Sequence, residues 1–230
     1  MPKAMLLFYT CTYSMTDFFR QFILELGNTG ILELIAVVFG ILSVWFSKKE
    51  NIFVYPVGLV NTTFYVYLSF KAHLFGEASV NLYYTIVSLY GWYLWSRKSA
   101  TKKPLLKIRF SNRKDWITQL LFFAAIYLLF YFSLKGLRDY FSADSLPLPD
   151  AFATASAFTA MWLMARKKLE SWYWWIATNI ASIPLYYVKG FALTSVYYFI
   201  LLLMAFSGLA EWRKKAIANK KTAAAESVAA

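Results

Sequence analysis

At 230 residues, 60% of them hydrophobic and 20% aromatic, with a mean hydropathy of +0.47, the chain is too apolar for a soluble domain, in which about 45–50% of residues are apolar. The formal net charge of +12 could suit nucleic acid, but the basic residues cluster at the ends of apolar runs, so the lipid bilayer is the expected partner and nucleic acid is not. A β-barrel is excluded as well, because barrel strands alternate over about ten residues, whereas residues 199–210, FILLLMAFSGLA, are apolar on every face.

Residues 1–28 precede the first long apolar run. Within them TDFFRQFILELG repeats Phe18, Phe19, Phe22, Ile23 and Leu26 at helical spacing behind Thr16 as a cap. This stretch is too short to cross a bilayer and is expected to lie in the interface; no cleavable signal is evident. Windows near the length of about 20 residues that a crossing needs then fall at 29–46, 52–70 and 79–96, giving a first three-helix block over 29–96. A basic loop, 97–114, leads to a single linking span over 115–134, WITQLLFFAAIYLLFYFSL at its centre. After a loop at 135–149, windows at 150–165, 171–188 and 193–211 make a second block over 150–212. Residues 213–230 read as a basic and then disordered tail ending in TAAAESVAA.

The second block repeats the first. KKENIFVYPVGLVNTTFYVYLSFK, 48–71, aligns with RKKLESWYWWIATNIASIPLYYVK, 166–189, at an offset of 118, placing Asn61 on Asn179 and Lys71 on Lys189. A slip of one or two residues then pairs Ser79-Val80 with Ser195-Val196, Gly91 with Gly208 and Trp95 with Trp212. Three spans are an odd number, so one linking crossing gives both blocks the same orientation. The expected fold is an all-α membrane protein of seven transmembrane helices in a 3+1+3 arrangement, two parallel repeats that can enclose a ligand between them. Alternating loops leave only Lys3, Arg20, Lys71, Lys135, Arg138 and Lys189 on one side, and the remaining basic residues mark the other as cytoplasmic. The N terminus is then outside and the C terminus inside.

One cysteine, Cys11, and one histidine, His73, exclude an internal disulfide, a Cys/His zinc site and a Ser-His-Asp set. None of the nine glycines builds a phosphate loop. An ATP-driven pump is therefore disfavoured and no cofactor is expected. What remains is the polar content of the spans, where each buried polar group is a candidate site. Trp172, Trp175 and Asn179 share one helical face, and Asn81, Tyr84 and Ser88 have the same spacing. Asn61 and Tyr65 come from the second span, and Ser195, Tyr197 and Tyr198 from the last. Converging, these faces form an aromatic pocket edged with amides and hydroxyls and free of Lys and Arg, suited to a flat neutral or cationic ligand. Bland alternatives stand beside this reading. Trp92, Trp95, Trp116 and Trp212 read as interfacial belt residues. Asn61 and Asn179 fit an interhelical clamp as well as a ligand contact, Glu33 and Asp150 fit helix caps, and Gly40, Gly58, Gly91 and Gly208 fit close helix packing.

Glu33, Gly58 with Asn61, LYGWYLWSR at 89–97, Asp150, RKKLESWYWW at 166–175, Asn179 and the Ser195/Tyr198 pair resemble the PnuC vitamin-uptake transporters, whose best-known members carry nicotinamide riboside. The resemblance covers about residues 29–215 and is most specific at Y-G-W-x-x-W-x-R and E-x-W-x-x-W-x-x-x-N. Position 81 departs from it, with Asn where some members carry Gln. It implies a SWEET-like architecture with its own helix order, a homotrimer in the bacterial cytoplasmic membrane, and facilitated diffusion of nicotinamide riboside trapped by intracellular phosphorylation. The implied substrate set is Trp172, Trp175, Asn179, Asn61, Asn81, Tyr84, Ser88, Tyr65, Tyr198 and Glu33. Relatives in the family carry thiamine or riboflavin, which stay open as ligands, and a membrane-embedded enzyme or a channel are the rivals from other classes.

Overall fold

Backbone that is apolar on every side can satisfy its N–H and C=O groups only within itself, and helices do this residue by residue. In a computed structural model describing residues 15–71, 75–98, 104–136 and 146–228, eight helices follow one another. They are α1 (Met15–Asn28), α2 (Ile31–Lys48), α3 (Val54–Lys71), α4 (Phe75–Ser96), α5 (Arg113–Gly136), α6 (Pro147–Ala165), α7 (Ser171–Val188) and α8 (Ala192–Val228). Cys11 and His73 lie outside the described residues. Helices α2, α3 and α4 pack in sequence, as do α6, α7 and α8; α4 then meets α6 and α8 meets α2, closing a ring of helices. The linking helix α5 packs outside the ring against α6, and α1 rests on α8.

The ring is closed most tightly at the basic end, where α2 and α6 terminate. Each stops with a left-handed residue that turns the chain back on the last turn, Glu50 at φ 60° and Lys167 at φ 50°. The hydrogen bonds are the same in both: Asn51 N–H to Phe46 O at 2.9 Å and Lys168 N–H to Leu163 O at 3.0 Å. Neither residue is glycine, so both turns are strained by side-chain sterics. Lys167 is buried and pairs with Glu50 at 2.7 Å while its ammonium lies over the Trp95 ring.

These matching bonds correct the repeat register. Glu50 and Lys167 stand 117 residues apart, as do Ser47 and Met164, whose side chains touch at 3.0 Å. Helices α3 and α7 are both 18 residues long and start at Val54 and Ser171, so Asn61 corresponds to Thr178, and Asn179 to Thr62. Aligning Asn with Asn and Lys with Lys had displaced this helix by one residue, a rotation of about 100°. Equivalent positions that touch each other are what a two-fold relation between halves requires.

The end is sealed by two tryptophans. Trp95 donates its indole N–H to the last carbonyl of α6, Ala165 O, at 3.1 Å, and Trp212 donates to Ser47 O in the last turn of α2 at 3.0 Å. Their rings lie 6.1 Å apart. Below them Tyr55 fills the space over Gly91 and Trp172 the space over Gly208, so close that a Cβ at either glycine would overlap the ring. Trp95 and Trp212 are thus core residues, not the interfacial residues expected. Trp92 and Trp116, each 38% exposed, differ from them in this respect.

Other departures are local. Helix α1 already begins at Met15, which places Thr16 inside its first turn. The carboxylate of Glu25 in α1 accepts the free N–H groups of Ala192 and Leu193 at 3.1 and 2.8 Å, capping α8 from another helix. Asp150 caps α6 as expected, accepting Leu146 N–H, and also pairs with Lys189 at 2.7 Å. The tail expected to be disordered continues α8 through Val228, since Ala, Lys and Glu are strong helix formers. Of the described helices, α5 and Ala192–Glu226 of α8 are long and apolar enough to cross a bilayer by length and composition. Leu120, Leu121, Leu128, Leu129 and Phe132 of α5 point outward and are exposed, an arrangement suited to an apolar surrounding.

Trp212→Ala removes a fully buried ring together with its N–H partner, and is expected to cost about 3–5 kcal/mol. Trp92→Ala is expected to cost under about 1 kcal/mol. Thermal unfolding of both purified variants in one detergent checks the contrast; equal losses would return Trp212 to the membrane interface.

Candidate functional site

Polar side chains inside the ring come from helices of both halves. Gly40 of α2 leaves room that α3 and α8 fill: a Cβ there would overlap the Tyr197 hydroxyl and lie 3.3 Å from Asn61 Nδ2. Tyr197 is in electrostatic reach of Tyr65 and Tyr198, and Tyr84 of α4 in reach of Tyr197 and Tyr198. Tyr198 stacks on Tyr186 of α7 at 5.2 Å. Four of the expected residues, Asn61, Tyr65, Tyr84 and Tyr198, therefore belong to one cluster. Their assembly needs α3, α4 and α8 at once, and so depends on the closed ring.

Asn179 is 2% exposed on α7, and its Oδ1 has no hydrogen-bond partner among the described residues. A buried carbonyl oxygen left unpaired costs about 1–3 kcal/mol; a donor on a bound ligand can recover that. Next to it in sequence, Thr178 is spent on its own helix, donating to Trp174 O at 2.9 Å. The contrast between adjacent polar residues singles out Asn179 as the free acceptor of α7.

Trp172 is placed elsewhere. It is 1% exposed, wedged against Gly208 and edge-on to Trp212 at 5.7 Å, and its Nε1 lacks a partner among the described residues. Trp175 is half-buried against the same aromatic core. The face shared by Trp172, Trp175 and Asn179 thus runs from the sealed basic end up toward the ring interior, with the tryptophans as its floor. Ser88 is buried on α4, and the carbonyl of Asn81 accepts the Thr85 hydroxyl at 2.9 Å. Thr85 in turn meets Thr62 of α3 at 3.1 Å. Glu33 falls within α2, and its side chain is outside the described residues.

Sequence reasoning missed Tyr186 and treated Gly40 as packing alone. The signal for Gly40 was available, because the residue 117 positions later is the buried Ala157, a second small residue on the matching helix. Among the described residues no cluster of three His, Cys, Asp or Glu could hold a metal. Three lysines are each engaged by a carboxylate: Lys167 by Glu50, Lys168 by Asp115, and Lys189, whose ammonium lies 5.8 Å from the Tyr186 ring, by Asp150. The interior thus presents aromatic faces, hydroxyls and amides.

The sequence profile described as nicotinamide mononucleotide transporter matches residues 30–214. The nicotinamide riboside transporter PnuC of Escherichia coli (strain K12) is 24% identical over 201 residues, 79% of this chain and 84% of the relative. The riboflavin/roseoflavin transporter RibM of Streptomyces davaonensis is 25% identical over 187 residues, 78% and 83% of the two chains. The crystal structure of the vitamin B3 transporter PnuC superposes with a TM-score of 0.67 at 24% identity, covering 90% of this chain and 92% of that one. The fold of that structure is therefore the fold of this chain. With a profile match over most of its length, and with the PnuC resemblance carried by its own motifs, the chain belongs to the nicotinamide mononucleotide transporter family.

Proposed function

We propose that the chain is a carrier of nicotinamide riboside in the bacterial cytoplasmic membrane, with seven transmembrane helices in a 3+1+3 arrangement. In this reading α2–α4 and α6–α8 are the two parallel repeats, α5 is the linking span, and the basic end with its many Lys and Arg faces the cytoplasm. The exposed apolar face of α5 meets lipid or neighbouring copies of a homotrimer. The nucleoside lies inside the ring, between the tyrosine cluster and Asn179, with Trp172 and Trp175 beneath it. Asn61, Asn81, Ser88 and Glu33 complete the proposed set.

The observation that carries this reading is the Asn179 Oδ1, buried with no hydrogen-bond partner among the described residues, on the helix that also carries Trp172, Trp175 and Tyr186. Nicotinamide riboside offers that oxygen a carboxamide N–H or a ribose hydroxyl. Its pyridinium ring gains roughly 0.5–2 kcal/mol over the face of Tyr or Trp, depending on desolvation. The E. coli relative bears the name of that substrate. The Streptomyces relative, named for riboflavin and roseoflavin, supports a second reading in which a larger flat ring with a polyol occupies the same place.

Transport is facilitated diffusion. Ion-coupled carriers commonly place Asp or Glu beside the ion at mid-span, and the described acidic residues discussed above lie at helix ends. Accumulation then comes from phosphorylation in the cytoplasm. Uptake into liposomes should therefore proceed by counterflow with no imposed gradient; a requirement for a proton or sodium gradient would sink this part of the reading.

Nicotinamide riboside should bind the purified protein, and nicotinamide mononucleotide should bind at least about a hundredfold more weakly, because its phosphate would be desolvated while Lys189, the lysine against Tyr186, is held by Asp150. Calorimetry on both ligands decides this, and comparable affinities count against it. Asn179→Ala is expected to lose roughly tenfold to a hundredfold in affinity, the equivalent of about 1–3 kcal/mol. Normal binding by a folded Asn179→Ala protein would move the site off α7, and riboflavin binding in place of nicotinamide riboside would favour the second reading.

A further inference from the structure

We infer that the segment from Pro104 to Asn112 is the gate over the cytoplasmic mouth of the carrier, with Ile108 as its plug. The inference rests on the orientation proposed above.

Ile108 is fully buried, although it belongs to a connection between helices. It belongs to the buried core that holds Tyr55, Trp95, Trp172 and Trp212, toward the end of α8 where Ala216 is buried. Its flanks do not follow it inward: Leu105 and Phe110 are 53% and 39% exposed. The segment is thus a strap that buries Ile108 fully, packs Leu106 partly against the same core, and is otherwise held along its edges by polar contacts. Arg109 N–H donates to Lys167 O and Arg109 O accepts from Leu169 N–H, both at 3.1 Å. Ser111 gives its N–H and its hydroxyl to the buried Glu170 carboxylate, the latter at 2.6 Å. Asn219 of α8 donates to Ile108 O at 2.9 Å.

Two features make this strap the movable part. Other seals of this end are paired between the halves, Tyr55 with Trp172 and Trp95 with Trp212, whereas the position 117 residues after Ile108 is Ala225, exposed on α8. The strap is a one-sided addition to an otherwise two-fold end, so it can leave without separating the repeats. It also borders open space: a cavity of about 320 Å³ is lined by Glu50, Pro104, Leu106, Lys107, Lys215 and Asn219, among others. Tethers that bond polar atoms to polar atoms exchange for water at small net cost, while extraction of Trp95 would take the indole donor from Ala165 O at the end of α6. Release of a ligand from above Trp172 toward the cytoplasm therefore begins with withdrawal of Ile108 into that space.

The test uses a Cys11→Ser background carrying Ala205→Cys, a small buried position on α8 about 16 Å of helix inward of Ala216. A membrane-impermeant maleimide is applied to inside-out and to right-side-out vesicles. Ile108→Ala, and separately Asn219→Ala, should raise the labelling rate several-fold from the cytoplasmic face alone. The same substitutions should speed efflux of nicotinamide riboside from loaded vesicles. Unchanged labelling in both variants, or an equal rise from the two faces, would overturn the gate. Should Ile108→Ala fail to accumulate, Asn219→Ala decides, since it removes a tether and leaves the plug. Labelling needs no ligand, so it reads the gate even if nicotinamide riboside proves to be the wrong substrate, and calorimetry reads the substrate even if the gate is elsewhere.

Discussion

The carbonyl groups at the end of a helix have no partner in the helix itself, and at the basic end of this protein two helices finish inside an apolar aromatic core. That constraint organises the fold. Water cannot serve those carbonyls, so each half lends the other an indole N–H, from Trp95 to α6 and from Trp212 to α2. Each half satisfies part of its own helix end through the turn that follows it, and the two indoles add the bonds that cross between halves and close the ring. Glu50 and Lys167, each held left-handed to end its helix and each the other's counter-ion, add a second crossing at the same place. Breaking that pair would leave Lys167 as a buried charge, a cost of about 3–5 kcal/mol.

The closed ring in turn creates the interior. Tyrosines on α3, α4, α7 and α8 can meet only when the halves are locked, and Gly40 lets α2 approach near enough for Tyr197 and Asn61 to enter. Trp172 belongs to both levels, since its ring completes the seal against Gly208 while its helix carries Asn179 two turns further up. A substitution at Trp172 would therefore disturb the seal and the site together, and Asn179 is the cleaner reporter on ligand contact.

Much of this was legible in the chain. Uniform apolarity gave the ring helices and α5, and the loop charges gave the basic end. The repeat was legible too, but its frame was not, because side-chain identity pulled Asn61 onto Asn179 while backbone hydrogen bonds set the frame one residue away. Trp95 and Trp212 were misplaced for a related reason. A tryptophan at a span end is compatible with a lipid interface and with a helix-end donor, and only its neighbour across the ring decides. Their matched positions in the two repeats were the available clue. Helical periodicity put Trp172 on the face of Asn179, but periodicity cannot say whether part of that face looks at a ligand or at another helix. Ile108 carried no signal at all, since an isoleucine in a basic loop looks like any other exposed loop residue.

The proposed chemistry of the interior also bears on how a carrier without ion coupling could accumulate anything. Such a carrier equilibrates its substrate and stops, unless the product formed inside cannot bind again. An interior of aromatic faces, hydroxyls and amides accepts a nucleoside whose only charge is a delocalised cation. The phosphorylated product brings a dianion, and with Lys189 held by Asp150 and so not free to receive it, the desolvation cost goes uncompensated. On this reading the paired Lys189 and the missing mid-span carboxylates have one explanation: direction comes from the ligand's change of charge, and the site contributes by recognising only the unphosphorylated form.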